Sequence, residues 1–180
     1  MKKVMVAVLM TSFLLTWPSS GLAADSAEDS IYYTRVGFFH EKGTHKTTNY
    51  LRGFFVPINT EVKILKKTQR SIYLRIVDRD EEIRIANLQG HSGEKIDAIF
   101  ERMFSLNETD LTSYSSEQVE RIMAGVFELG MTKEEIILAI GYPPKHRTSS
   151  LVSNKWRYWE SRFDTVLLHF KSGVLEHIDD

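Results

Sequence analysis

The chain has 180 residues, 42% of them hydrophobic and 26% charged, with a formal net charge of -1, six histidines and no cysteine. Those proportions belong to a globular protein with enough apolar residues for one core or two small ones, and they exclude disordered and collagenous chains. A near-neutral balance gives no general attraction to nucleic acid, and the lack of cysteine excludes disulfides, thiol chemistry and cysteine-based zinc sites.

In chain order, Met1-Lys2-Lys3 is a short basic start, residues 4–17 are mostly apolar, and residues 18–24 supply small residues. That sequence of features predicts a secretory signal peptide over 1–24, cleaved near Ala23 or Ala24, because the apolar run falls short of the ~20 residues that span a bilayer. The expected destination is the periplasm or the medium. With no cysteine after the signal, no lipid anchor is expected.

Residues 25–90 read as a small β domain. The runs "IYYTRVGFF", "LRGFFV", "EVKILKK", "SIYLRIV" and "EEIRIA" are rich in Ile, Val, Phe and Tyr and are broken by turn formers. Ile72, Leu74 and Ile76 alternate with Tyr73 and Arg75, the period of two of a half-buried strand. Pro57 to Thr60 reads as a turn, and Asp78 to Glu82 as a polar hairpin tip. The stretch "TTNYLRGFFVPINTEVKIL" followed by "IYLRI" resembles a bacterial Src-homology-3 (SH3) type barrel. That resemblance implies a binding or scaffolding barrel, used in some cases for peptides or cell-wall material.

Residues 91–113 are expected to form a linker with one helix. "NLQGHSG" reads as a glycine-containing hinge, since "GHSGEK" lacks the spacing and the strand-loop-helix context of a phosphate loop. Ile96, Ile99, Phe100, Met103 and Phe104 repeat at helical spacing and predict a helix over 94–104. A second helix is predicted from a capping box at Ser115 and Gln118, with Val119, Ile122, Met123, Val126 and Phe127 as its stripe and Gly130 as its left-handed cap. A third follows in "GMTKEEIILAIGYPP", with Thr132 as N-cap, Glu135 reaching back to it, Gly141 stopping it and Pro143-Pro144 forbidding its resumption.

The period then returns to two. "KWRYWE", "TVLLHF" and "VLEHI" predict three antiparallel strands, in which Trp156 and Tyr158 share one face, Val166, Leu168 and Phe170 share one face, and so do Val174, Glu176 and Ile178. Two helices and a three-strand meander make an α+β layer, one sheet face covered and the other wetter. Residues 114–180, through "GMTKEEIILAIGYPP", "NKWRYW", "TVLLHF" and "SGVLEHI", resemble the BamE (SmpA/OmlA) family of small outer-membrane assembly components. The same ααβββ order is similar to the repeats of β-lactamase inhibitory proteins. The resemblance implies protein-protein contact in the envelope rather than catalysis.

The histidines form no H-E-x-x-H and no helical i, i+4 pair, and the serines lie in no G-x-S-x-G context, so neither a metal nor a cofactor is expected and no catalytic residue is assigned. His169 and His177 fall on adjacent strands and can face one another. Arginine and aromatic residues anchor interfaces, so the interaction candidates are Arg157, Trp159 and Arg162 on the C-terminal strands and Tyr50 and Phe55 in the barrel. The expected function is a non-enzymatic, exported envelope protein. It would bind a periplasmic or outer-membrane protein as an interaction or scaffolding module linked to outer-membrane protein assembly. The alternatives are a peptidoglycan- or peptide-binding module, working through the barrel, and an inhibitor of an exported hydrolase.

Overall fold

The computed structural model describes residues 30–179; the expected signal peptide lies outside the described residues. The fold is mixed α+β, in two layered units that share a seam. Strands β1 (Ile31–Thr34), β5 (Glu61–Lys67), β6 (Ser71–Ile76) and β7 (Glu81–Ala86) form an antiparallel core. It is extended at one edge by β3 (Thr44–Lys46), parallel to β7, and at the other by the two-residue β8 (Phe104–Ser105). Strands β2 (Phe38–His40) and β4 (Phe54–Val56) pair separately. The single run "IYYTRVGFF" is thus two strands, broken at Arg35 to Gly37, and β3 was not anticipated at all.

Alternation builds the first core. Ile72, Leu74 and Ile76 point inward with Ile83, Ile85, Val62, Val56 and Phe38, all essentially without solvent contact. Each such side chain contributes about 1.5–3 kcal/mol on burial. The helical stripe expected between the units belongs to this core: α2 (Ile96–Met103) buries Ile96, Ile99 and Met103 against the sheet, and Phe104 follows directly as β8. Residues 91–113 are therefore not a free linker. The glycine-containing stretch before α2 contains a short helix, α1 (Gln89–Ser92), and is stitched down by Asn87. Its Oδ1 accepts from Thr47 and Ser92, and its Nδ2 donates to the Glu94 carbonyl.

The second unit comprises α3 (Ser116–Ala124), α4 (Lys133–Ile140), β9 (Lys155–Trp159), β10 (Thr165–Lys171) and β11 (Val174–Asp179), the strands antiparallel in the order β11-β10-β9. Both expected capping boxes form: Ser115 with Gln118, and Thr132 with Glu135. Met131, Ile136, Ala139 and Ile140 pack on Trp156, Tyr158, Val166, Leu168, Phe170 and Leu175. Gly141 ends α4, its N–H donating to Ile137.

Two details depart from expectation. The helix opened by Ser115 ends at Ala124 and is capped by Gly125 (φ 68°); Gly130 is left-handed too (φ 90°) but, like Val126 and Phe127, lies beyond the helix. A Cβ on Gly125 would stand 2.3 Å from the Phe55 ring, so packing as well as backbone angle demands glycine there. In β11 the register shifts opposite His169 and Phe170, where Phe170 faces Leu175 and His169 faces His177, leaving Glu176 as the extra residue. This bulge moves the alternation by one position. Leu175 and Ile178 consequently pack on the core, while Val174 and Glu176 are exposed.

Both edges of the three-stranded sheet are occupied by the chain itself. Along β11, Gly130 donates to Leu175, Leu175 to Met131 and Lys133 to Gly173. Along β9, Leu51 donates to the Trp159 carbonyl, Tyr50 and Trp159 form a parallel bridge, and Arg157 donates from its main chain to the Thr148 hydroxyl.

Candidate functional site

The two stretches that carried the family resemblances meet at the seam. Asn49 of "TTNYL" takes a left-handed turn (φ 54°), which asparagine tolerates better than most residues, and its buried amide donates to the carbonyls of Ile140 (2.8 Å) and Tyr142 (3.0 Å) at the end of α4. Gly37 donates to Leu138 at 2.8 Å, and a Cβ in its place would stand 2.1 Å from the Ala139 carbonyl oxygen. Phe55 fills the remaining space beside Gly37, Gly125 and Phe39. Arg102 of α2 spans the seam as well, pairing with Glu94 at 2.7 Å and lying 4.7 Å from the centre of the Tyr142 ring.

Around the outer rim of the seam, planar groups stack. The His91 and His146 rings lie 4.2 Å apart, His146 stacks on Trp159 at 6.1 Å, and the Arg147 guanidinium lies 4.9 Å from the Trp159 ring centre. His91 is held from behind by the Thr48 hydroxyl at 2.9 Å, and Tyr50 leans on Trp159 from the side of the first unit. Burial, together with the neighbouring His91 and Arg147, holds the His146 imidazole below its ordinary value. A neutral ring is the better stacking partner beside a guanidinium.

Beside this stack lies a cleft of about 530 Å³. The alternation that turns Phe38, His40 and His45 into the core turns Phe39, Glu41, Thr44 and Lys46 toward the cleft, together with Lys42, Tyr50, Arg52 and Arg84. Arg162, from the β9–β10 turn, joins Tyr50, Lys46 and Arg52 on its far side. Glu41 pairs with Arg52 at 2.8 Å, and that guanidinium holds its carboxyl below the usual range. The Arg84 Nε donates to the Ser71 hydroxyl at 3.0 Å, which fixes its guanidinium. Beneath the cleft, burial pushes the His45 imidazole down to about 4, with its Nδ1 donating to the Phe39 carbonyl at 2.8 Å.

Comparison with protein-family models, curated proteins and solved structures finds no match to this chain. Tyr50, Trp159 and Arg162, expected as contact residues from three separate stretches, are brought together at the cleft and its rim. Arg157 is half-buried on the outer sheet face, donating to the Thr165 hydroxyl at 2.8 Å across the β9–β10 pair, and does not line the cleft. Phe55 is turned inward to the seam, because adjacent strand residues face opposite ways; its neighbour Phe54 is the exposed one, at 70%.

Sequence reasoning missed Lys42, Lys46, Arg52 and Arg84, whose common position depends on the unforeseen β3 and its parallel pairing with β7. His169 and His177 do face each other, rings 5.5 Å apart, and both bond Asp179. Among the described residues, no group of three or more His, Asp or Glu side chains is arranged to hold a metal ion.

Proposed function

We propose that the chain is a non-enzymatic exported protein of the cell envelope, acting as a protein-protein interaction or scaffolding module linked to outer-membrane protein assembly. In this reading the first unit is an SH3-type barrel and the second a BamE-like, or β-lactamase-inhibitor-like, ααβββ domain. The observation that carries the reading is the composite surface at the seam. Tyr50 and Arg52 from one unit and Trp159 and Arg162 from the other sit side by side on frames locked together by buried hydrogen bonds. Arginine and aromatic anchors held on a rigid frame are the residues that carry interface energy.

The purified protein, immobilised and exposed to solubilised native envelope, is expected to retain one defined periplasmic or outer-membrane protein and to show no hydrolase activity. Peptidoglycan also carries carboxylates that a cationic cleft would accept. Co-sedimentation with purified peptidoglycan and no retained protein would replace this reading with the cell-wall one.

A further inference from the structure

We infer that the seam cleft is the recognition site for an extended acidic segment of a partner polypeptide; this rests on the interaction reading above. Four cationic side chains, Lys42, Lys46, Arg52 and Arg84, face the cleft, and a fifth, Arg162, lines the adjoining smaller cavity that shares Glu41, Lys46, Tyr50 and Arg52 with it; Glu41 is the one carboxylate among the lining residues of both. The whole chain carries a net charge of -1. The cationic excess is therefore local to this concavity. Such a patch draws carboxylates in and selects against basic partners.

The arrangement also bears on the form of the ligand. The cations are spread along the cleft from the β2–β3 turn to the β9–β10 turn instead of converging on one point, as they would for a single phosphate. Between them lie Phe39 and Tyr50, with the Lys46 ammonium 6.0 Å from the Tyr50 ring centre. A strip of charges with an aromatic floor suits a chain that alternates acidic and apolar side chains. Guanidinium groups suit carboxylates, which they can grip through two parallel hydrogen bonds. Main-chain pairing along the three-stranded sheet is not the route in, because both its edges are already bonded within the chain. The charged and aromatic side chains of the cleft supply the recognition. Phe163, its ring centre 5.6 Å from the Arg162 guanidinium, is 83% exposed, an apolar contact for one flank of such a segment.

The test measures fluorescence anisotropy of the purified protein with a labelled peptide of alternating Glu and Phe, with its Gln-for-Glu counterpart, and with phosphatidylglycerol vesicles. The acidic peptide is expected to bind, to weaken as salt is added, and to bind about 10-fold or more tighter than the Gln peptide. The double variant Lys46→Glu with Arg162→Glu, both exposed positions, is expected to lose that binding while keeping its unfolding midpoint. Equal binding of the Gln peptide, or unchanged binding by the folded double variant, overturns the assignment. So does binding of vesicles in preference to the peptide. An envelope protein retained equally by the wild type and the double variant would overturn the cleft assignment and leave the interaction reading standing.

Discussion

The side-chain amide of Asn49 donates to the main-chain oxygen of Ile140 at 2.8 Å, joining a turn of the β unit to the last residue of α4 across 91 positions of sequence. The same amide reaches Tyr142. Asn49→Ala removes both bonds and leaves two carbonyls short of a donor, at a cost of about 2–3 kcal/mol. Asn49→Gly separates backbone from side chain: it relieves the left-handed conformation yet should still be destabilised. Trp156 and Trp159 both lie in the second unit, so their fluorescence reports that unit while far-ultraviolet circular dichroism reports both. In urea the two signals are expected to coincide for the wild type and to part for Asn49→Ala, fluorescence changing first.

Glycine replacements grade the seam. Gly37→Ala places a methyl 2.1 Å from a carbonyl oxygen in α4 and should cost about 3 kcal/mol or more, since the obstruction is backbone. Gly90→Ala, with nothing within 4 Å and a helical position, should be neutral or slightly stabilising. Thermal midpoints of the two variants would show the contrast directly, and equal midpoints would mean that the seam is loose.

Acid should weaken the fold through His45. Its folded value of about 4 lies below the ordinary 6.5 because burial, His40 and Arg102 all disfavour the charged ring. The unfolded chain binds its proton first, so stability is complete above about pH 6.5 and falls as pH drops toward 4, by on the order of 3 kcal/mol in total. His40, lowered mainly by burial, adds in the same direction. Midpoints measured along a pH series are expected to decline across this window. His45→Gln should be less stable at neutral pH but show a flatter decline.

The capping box of α4 offers a coupled pair. The Glu135 carboxylate accepts from both the main-chain and hydroxyl groups of Thr132, at 2.7 Å each, while Thr132 accepts from Glu135 N. Thr132→Ala should cost about 1 kcal/mol. Because the bonds are shared, Thr132→Ala and Glu135→Ala together should cost less than their sum by about 0.5 kcal/mol or more. A double-mutant cycle in urea measures that difference.

Local features were legible because they depend on residues close in sequence: both capping boxes, the stop at Gly141, the inward pair Trp156 and Tyr158, and a hairpin tip at Asp78 to Asp80, although Glu81 and Glu82 of the expected tip already belong to β7. What escaped depends on distant partners. Nothing near Gly125 distinguishes it from Gly130 as a helix stop, since the deciding atom belongs to Phe55, seventy positions earlier. The bulge at Glu176 leaves no mark in composition, so strict alternation put Glu176 where Leu175 belongs. "GTHK" is too short to announce a strand, and without β3 the cleft could not be assembled from Lys46, Arg52 and Arg84. The candidate residues were chosen by type, and type cannot tell Phe54 from Phe55.

The backbone bond from Leu51 to Trp159 has a bearing on how the chain can be divided. A fragment beginning at residue 114 would keep its own helices and strands, yet β9 would lose the short stretch that lies along it and present unpaired amides and carbonyls to any neighbour. Such bare strand borders invite copies to join. Expressed alone, the C-terminal part is expected to self-associate, and adding residues 30–113 in trans should dissolve those assemblies.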